Sequence, residues 1–302
     1  MTMSESAEAS TSAKAPPLGK FLAHNDKEVR DKAVASLRSF LVSSPHALPP
    51  QEMTKLWKGI FYCYWHSDKP LVQQALSSEL ASIPLQMEDA GRALGFMRGF
   101  WQSMLREWNG IDRLRLDKYF MLVRKFVNGG FRLLAREEWD EQSVGEWNDM
   151  LGGKGGPLDP IDPKIPQALA YHIADLYLDE LEKVVADLPD ASAPPLPLLA
   201  QPFIHSCSLH NSKITFDRML SALFSPLFYS LATPRVEDTP YPNLMGALGK
   251  AEARKDVKKE LMKRWFDEAS QADTKEVNRR KMYRIWREEM VDDQPVGTTL
   301  PE

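Results

Sequence analysis

The segment 55–65 carries apolar side chains at helical spacing, and this pattern constrains the fold more than any other feature. Two rows recur every four residues: Leu56, Ile60 and Tyr64, and beside them Trp57, Phe61 and Trp65. A helix would join the rows into one broad apolar arc, and Tyr62 and Cys63 extend it almost all round. Five aromatic residues in nine each bury roughly 150–250 Å². The pattern predicts a central helix enclosed by its neighbours in an N-terminal core.

The rest of the chain predicts an all-α fold. Hydrophobic residues make up 43% of the sequence, enough to fill a core, and runs of β-branched residues with period-two alternation are nearly absent. No run is long enough to span a membrane, and residues 1–15 do not resemble a signal peptide. Cys63 and Cys207 lie far apart, which argues against a disulfide framework and fits a reducing compartment.

Helix-start signals recur at a regular interval. Asn25 is predicted as an N-cap because Glu28 follows three residues later. Asp26, Asp68 and Asp112 each precede a predicted second helix, 42 and 44 residues apart. A period of about 40–47 residues with two helices is typical of HEAT and armadillo repeats. We therefore expect a HEAT/armadillo-like array, a right-handed solenoid of antiparallel helix pairs. The alternative is an ordinary helical array in which the interval has arisen by chance.

Proline and glycine clusters suggest the domain boundaries. The Gly/Pro-rich segment 152–166 is the clearest break in the helical pattern. The expected organisation is a disordered tail at 1–17, N-terminal helical repeats at 18–151, a linker at 152–166, a C-terminal helical region at 167–290 and a flexible tail at 291–302.

Candidate catalytic and metal sites are weak. The glycines of 152–156 lack the spacing of a phosphate loop, and no buried strand precedes them. His205, Cys207 and His210 lack the further ligands that a structural zinc site requires. His172, with carboxylates nearby on its helix, fits an ordinary solvated face. We find no nucleophile elbow or His-Glu-x-x-His motif. The sequence predicts no catalytic, metal or cofactor-binding residues, and no enzymatic activity.

Basic segments are the best functional signal, although the net charge of the chain is −4. Residues 244–290 are predicted to be charged helix with one break near 270–274, and 250–290 contain 13 Lys or Arg against 9 Asp or Glu. Arg280, Arg284 and Arg287 would share a sector of about 60° on a helix. Opposite them lies an apolar seat of Met282, Ile285, Trp286 and Met290. A second basic stretch contains Arg113, Arg115, Lys118, Arg124 and Lys125.

These cations suit phosphate, because a guanidinium binds two oxygens at once. Two other interpretations stay open. One is a soluble helix with mixed charge, and the other is a surface for an acidic protein partner, since Glu288 and Glu289 dilute the patch.

Several long, tryptophan-rich strings resemble the nucleolar ribosomal RNA processing protein 1 family. They lie at 56–65, 67–71, 100–101, 106–108 and 110–119, and the resemblance is dense over 20–135 and thinner beyond. Its signature residues are mostly aromatic, so we expect them to maintain the fold: Trp57, Phe61, Tyr64, Trp65, Trp101 and Trp108.

The resemblance implies a non-catalytic assembly factor in the nucleolus. It implies binding to pre-60S particles and a requirement in maturation of precursor rRNA of the large subunit. Expected partners are that rRNA and other assembly factors, including Brix-domain and WD-repeat proteins. No cofactor, membrane or small-molecule substrate is implied. The alternative is a purely protein-binding helical adaptor with little direct RNA contact.

Overall fold

The computed structural model describes residues 18–291, and every regular element in that range is helical. This confirms the all-α prediction. The α-helices in chain order are α1 Gly19–Leu22, α2 Lys27–Ser43, α3 Pro50–Trp65, α4 Pro70–Ser82, α5 Ala90–Glu107, α6 Arg113–Arg136, α7 Glu141–Gly152, α8 Gln167–Asp187, α9 Leu196–Leu199, α10 Gln201–Leu209, α11 Lys213–Met219, α12 Ser225–Ala232, α13 Pro242–Ala247, α14 Ala251–Ser270 and α15 Glu276–Val291. None of them is both long and apolar enough to cross a bilayer. The tail predicted at 1–17, and residues 292–302 of the other tail, lie outside the described residues.

The chain forms two compact units that divide between Ser103 and Met104, inside α5. The sequence predicted a division at 152–166 instead. Helices α7 and α8, on either side of that segment, both belong to the second unit, where α7 contacts α10 and α8 contacts α6 and α11. The Gly/Pro segment therefore interrupts the helices without separating the two compact units.

Helix α3 forms the core of the first unit as its two apolar rows predict. Trp57, Ile60, Phe61 and Tyr64 are buried, and Nε1 of Trp57 donates a hydrogen bond to the carbonyl of Phe96 over 3.0 Å. The Trp57 ring lies 4.6 Å from the Phe96 ring, centroid to centroid. The prediction of a helix enclosed all round was wrong in one respect. Tyr62 is 38% exposed, because one side of α3 faces solvent.

Close approach of α5 to α3 requires a glycine. A Cβ added at Gly99 would lie 2.4 Å from Cδ1 of Trp57, well inside van der Waals contact. The indole thus packs directly on the α5 backbone at this position. The spacing of aromatic residues on α3 and the absence of a side chain at Gly99 act together to fix this contact.

The repeat signals are only partly present as capping interactions. Asp26, not Asn25, caps α2: its side chain accepts from the Glu28 amide over 2.8 Å, while the Asn25 carbonyl accepts from Arg30. Asp112 caps α6 in the same way, but α4 begins after Lys69 with no side-chain cap. The HEAT/armadillo-like solenoid therefore stays a prediction.

The second unit is built on the contact between α6 and α8. Gly130 on α6 lies against the Trp147 indole, where an added Cβ would be 2.3 Å from the ring. Nε1 of Trp147 donates to the Tyr177 hydroxyl over 3.2 Å, and that hydroxyl donates to the Leu199 carbonyl over 3.0 Å. This chain of bonds satisfies both buried polar groups and links α7 and α8 to the end of α9.

Candidate nucleic-acid interface

Helices α14 and α15 form the platform that carries the predicted arginine row. Met282 and Ile285 on α15 are buried, as the amphipathic pattern predicts, while Trp286 and Met290 are half-buried. Nε1 of Trp265 on α14 donates to the carbonyl of Met282 over 2.9 Å. The α15 helix therefore docks on α14 through its apolar side, and its opposite side faces solvent.

Polar contacts fix the position of α15. Lys258, buried on α14, pairs with Glu289 at 3.0 Å. The side-chain amide of Asn278 donates to the carbonyls of Ser208 and His210 at 3.2 and 2.9 Å, which ties α15 to the end of α10. Because buried groups of this kind are costly to leave unpaired, they hold the helix in one orientation.

The predicted arginine row is exposed, and its carboxylate partners are exposed as well. The Arg280 side chain is 78% exposed and pairs with Glu276 at 2.9 Å, and that of Arg284 is 66% exposed, 3.8 Å from Glu288. Exposed pairs of this kind contribute about 0–1 kcal/mol and open easily. Nε of Arg287 donates to the carbonyl of Tyr283 over 3.4 Å. All three guanidinium groups can therefore reach phosphate oxygens at little cost.

The second predicted basic stretch does not form one exposed surface. Arg113 is exposed, but Arg115 pairs with the capping residue Asp112, and Lys125 is only half-exposed. Lys118 is 6% exposed, so its place among the binding residues has to be corrected. The aliphatic part of a lysine can be buried along apolar surface, and sequence spacing does not show when this happens.

Arg124 is held by a buried carboxylate. Its Nη1 lies 2.8 Å from Oε1 of Glu180, whose side chain is 4% exposed. Asn128 donates to the other oxygen of Glu180 over 3.0 Å, and Lys183 pairs with the first oxygen at 2.7 Å. This network joins α6 to α8, so Arg124 serves the fold in this arrangement. The structure thus leaves α15 as the stronger candidate surface.

The three histidines among the remaining candidate ligands are bound to other protein groups, and the cysteine is buried. Nδ1 of His205 lies 2.8 Å from Oε1 of Glu268, while His210 accepts from the Ser212 amide and Cys207 is buried. Nε2 of His172 lies 3.0 Å from the Phe120 carbonyl. Within residues 18–291, no three His, Cys, Asp or Glu side chains are grouped so that they could hold a metal ion.

The glycine-rich segment binds a carboxylate of the chain itself. Asp159, which is buried, accepts from the backbone amides of Gly155 and Ile161, both at 2.8 Å, and from that of Asp162 at 3.3 Å. Backbone amides that converge in this way are typical of an anion-binding loop. Here they stabilise the turn that leads into α8.

The sequence interpretation missed two features of the C-terminal helices. A break at Gly249, with φ +97°, separates α13 from α14, where continuous helix was expected. Phe266, 38% exposed on α14, also contacts the rings of Tyr283 and Trp286 on α15. The three-residue spacing of Tyr283 and Trp286 would have placed these two rings together on α15. The contact with Phe266 could not be predicted, because it depends on how α14 and α15 pack.

Comparison with known families assigns the chain. The model of the family described as nucleolar protein, Nop52, matches residues 13–286. The chain belongs to this family. The match includes the aromatic core of α3 and residues 276–286 of α15, with Arg280 and Arg284 inside it and Arg287 just beyond its end. It confirms the resemblance noted in the sequence.

Relatives in the family carry a common name. Human ribosomal RNA processing protein 1 homolog B is 38% identical over 167 residues, 54% of this chain and 22% of the relative. The human homolog A is 36% identical over 174 residues, 56% of this chain and 37% of the relative. The Dictyostelium discoideum homolog is 25% identical over 284 residues, 88% of this chain and 56% of the relative. The chain thus spans between about a fifth and a little over half of these relatives.

Proposed function

We propose that this chain is a non-catalytic ribosome assembly factor of the nucleolus. It takes part in maturation of precursor rRNA of the large subunit. The observation that carries the proposal is the family match over residues 13–286, together with the relatives' name, ribosomal RNA processing protein 1 homolog. The all-helical structure of residues 18–291 supports this role, because arrays of helices offer extended surfaces for several partners at once.

In this proposal the chain is a scaffold that binds rRNA and other factors on pre-60S particles. The arginine row of α15, Arg280, Arg284 and Arg287, contacts rRNA phosphates. Brix-domain and WD-repeat assembly factors bind elsewhere on the chain. No cofactor, membrane or small-molecule substrate takes part. Exposure of the three arginines supports the RNA contact, since phosphate must reach the guanidinium groups directly.

A second candidate is a purely protein-binding adaptor. The observation that favours it is the mixed charge of α15, where Glu276 pairs with Arg280 and Glu288 lies near Arg284. Alternating charges of this kind also occur on helices that bind protein partners. The two candidates predict different effects of salt on binding.

The first experiment tests the role in ribosome assembly. The tagged chain is purified from cells, and the rRNA and proteins that accompany it are identified. We expect large-subunit precursor rRNA and assembly factors, and an accumulation of unprocessed precursor when the protein is depleted. Normal processing after depletion would contradict the proposed role. Cleavage of precursor rRNA by the pure protein, abolished by a point substitution, would contradict the absence of catalysis.

The second experiment tests the arginine row. Arg280, Arg284 and Arg287 are replaced together by Gln, and binding to rRNA fragments is measured across a range of salt concentrations. Each lost phosphate contact should flatten the slope of log affinity against log salt by about 0.7–0.9. A matched control removes three exposed cations outside α15, Lys213, Arg235 and Lys255, and changes the net charge equally. If the α15 variant keeps its slope and loses a protein partner, the adaptor interpretation is correct.

A further inference from the structure

An aromatic surface lies beside the arginine row, along the line where α14 and α15 meet. It consists of Phe266, Tyr283 and Trp286 and is called the aromatic surface below. The ring centroid of Phe266 lies 5.2 Å from that of Tyr283 and 5.0 Å from that of Trp286. Phe266 is 38% exposed and the other two side chains are partly exposed. Trp265, Met282 and Ile285 make the buried contact between the helices, and the three rings lie at its edge, where part of each stays in solvent.

Three exposed cations lie three or four residues from members of the aromatic surface. On α15, Arg280 precedes Tyr283 by three residues and Arg287 follows it by four, and these spacings place both beside its ring. On α14, exposed Lys263 precedes Phe266 by three residues. Among the described residues neither Lys263 nor Arg287 has a carboxylate within ion-pair distance, and Arg280 has only the exposed Glu276. Three exposed cations, Lys263, Arg280 and Arg287, therefore lie close in sequence to the rings, together with the exposed carboxylates of Asp267 and Glu276.

We propose that the aromatic surface stacks unpaired bases of single-stranded RNA while Lys263, Arg280 and Arg287 bind the adjoining phosphates. This inference rests on the proposed function and adds the class of RNA to it. Aromatic rings bind bases through their faces with little sequence preference, and the neighbouring cations follow the backbone. An A-form duplex presents no unstacked bases, so it could use the cations but not the rings. A protein partner would need apolar side chains to cover the rings and carboxylates to meet the cations.

The test uses the 302-residue chain and fluorescently labelled RNA. Binding of an unstructured oligonucleotide and of a duplex is measured by anisotropy for the double variant Phe266→Leu/Tyr283→Leu, which keeps apolar volume but removes two aromatic faces. Stacking contributes about 1–3 kcal/mol per base, so each lost contact should weaken oligonucleotide binding about 5- to 150-fold. Duplex binding should stay unchanged. The control is Tyr229→Leu, which removes a 57% exposed aromatic residue from α12 and should change neither affinity.

A second variant covers the case in which the double variant fails to fold, as judged by thermal unfolding. Arg287→Gln keeps all three rings and should flatten the salt slope for the oligonucleotide by about 0.7. Equal loss of oligonucleotide and duplex binding in the double variant would overturn the proposal, as would undetectable oligonucleotide binding by the unmodified chain. Unchanged RNA binding with loss of a co-purifying protein would assign the surface to that partner. Precursor rRNA processing is then compared in cells that express the double variant and in cells depleted of the protein. Failure on depletion with normal processing in the variant cells would refute the stacking surface and leave the proposed function standing.

Discussion

Helices α3 and α15 both carry aromatic side chains in rows, but they differ in what lies opposite those rows. On α3 the Trp57 ring is 1% exposed and its nitrogen is bonded to the Phe96 carbonyl on α5. On α15 the buried contacts are made by Met282 and Ile285, and Tyr283 and Trp286 remain partly in solvent. The same residue types are therefore buried in the core in one region and partly exposed in the other. The difference is that a neighbouring helix covers the Trp57 ring of α3, whereas no described element fully covers the Tyr283 and Trp286 rings of α15.

The largest expected effect tests enclosure directly. Phe61→Ala on α3 should lower the free energy of unfolding by about 3–5 kcal/mol, because it leaves a cavity at a residue that is 4% exposed. Phe266→Ala on α14 removes the same ring from a site that is 38% exposed and should cost about 1 kcal/mol. Both are measured by chemical denaturation. Equal losses would show that the aromatic surface is part of the core.

Arginines on α6 and α15 extend the comparison to charge. Arg124→Gln should cost about 1.5–3 kcal/mol, because it removes a charged hydrogen bond to the buried Glu180. Arg280→Gln breaks only an exposed pair with Glu276 and should change stability by less than about 0.5 kcal/mol. Denaturant midpoints of the two variants measure the difference. A comparable loss at Arg280 would mean that the arginine row is structural.

Two glycines one turn apart on α5 sharpen the account of the α3 contact. Gly99→Ala would place a Cβ 2.4 Å from Cδ1 of Trp57 and should destabilise the protein by about 1–3 kcal/mol. Gly95→Ala meets no atom within 4 Å, so the gain in helix propensity should stabilise the protein by up to about 1 kcal/mol. Opposite signs in thermal unfolding are expected. A neutral Gly99→Ala would show that the indole can move aside.

The smallest expected effects concern two histidines. Pairing with a carboxylate shifts the pKa of one, and burial shifts the pKa of the other. The hydrogen bond with Glu268 raises the pKa of His205, whereas burial lowers the pKa of His172. The stabilisation from His205 is complete below its unfolded pKa of about 6.5 and disappears as the pH rises through the folded pKa. The contribution of His172 has the opposite sign: it is present above about pH 6.5 and is lost as the pH falls through the lowered folded pKa.

Measuring unfolding free energies of His205→Gln and His172→Gln across pH 5–9 tests both directions. The difference between the unmodified chain and the His205 variant should shrink towards high pH. That between the unmodified chain and the His172 variant should shrink towards low pH. The same trend for both variants would contradict the assignment of the two causes.

On α3 and α15, helical periodicity was sufficient to predict most of the side chains that are buried. Trp57, Ile60 and Phe61 on α3, and Met282 and Ile285 on α15, are buried where the spacing placed them. This succeeds because a helix fixes the relative directions of its own side chains whatever its neighbours are. The exposure of Arg280, Arg284 and Arg287 follows from the same geometry.

Partners distant in sequence could not be predicted in this way. Glu180, which holds Arg124, lies 56 residues away, and the pair forms only because α6 packs on α8. Burial of Lys118, and the contact of Phe266 with Tyr283, likewise depend on how neighbouring elements pack. The residue pattern within one helix contains no information about how that helix packs on its neighbours. Charge and aromatic content alone therefore could not distinguish residues that stabilise the fold from residues that stay exposed.

The Trp57–Gly99 contact has a consequence for how α3 and α5 can move against each other. Sliding α5 by one helical turn, about 5.4 Å, would bring either Gly95 or Ser103 under the indole. Ser103 carries a Cβ and a hydroxyl group that would overlap the ring, so translation in that direction is sterically blocked. Gly95 has no side chain, so translation in the other direction brings no Cβ against the indole, although it breaks the hydrogen bond to the Phe96 carbonyl and the surrounding ring contacts. The interface between these two helices therefore resists shear unequally in its two directions.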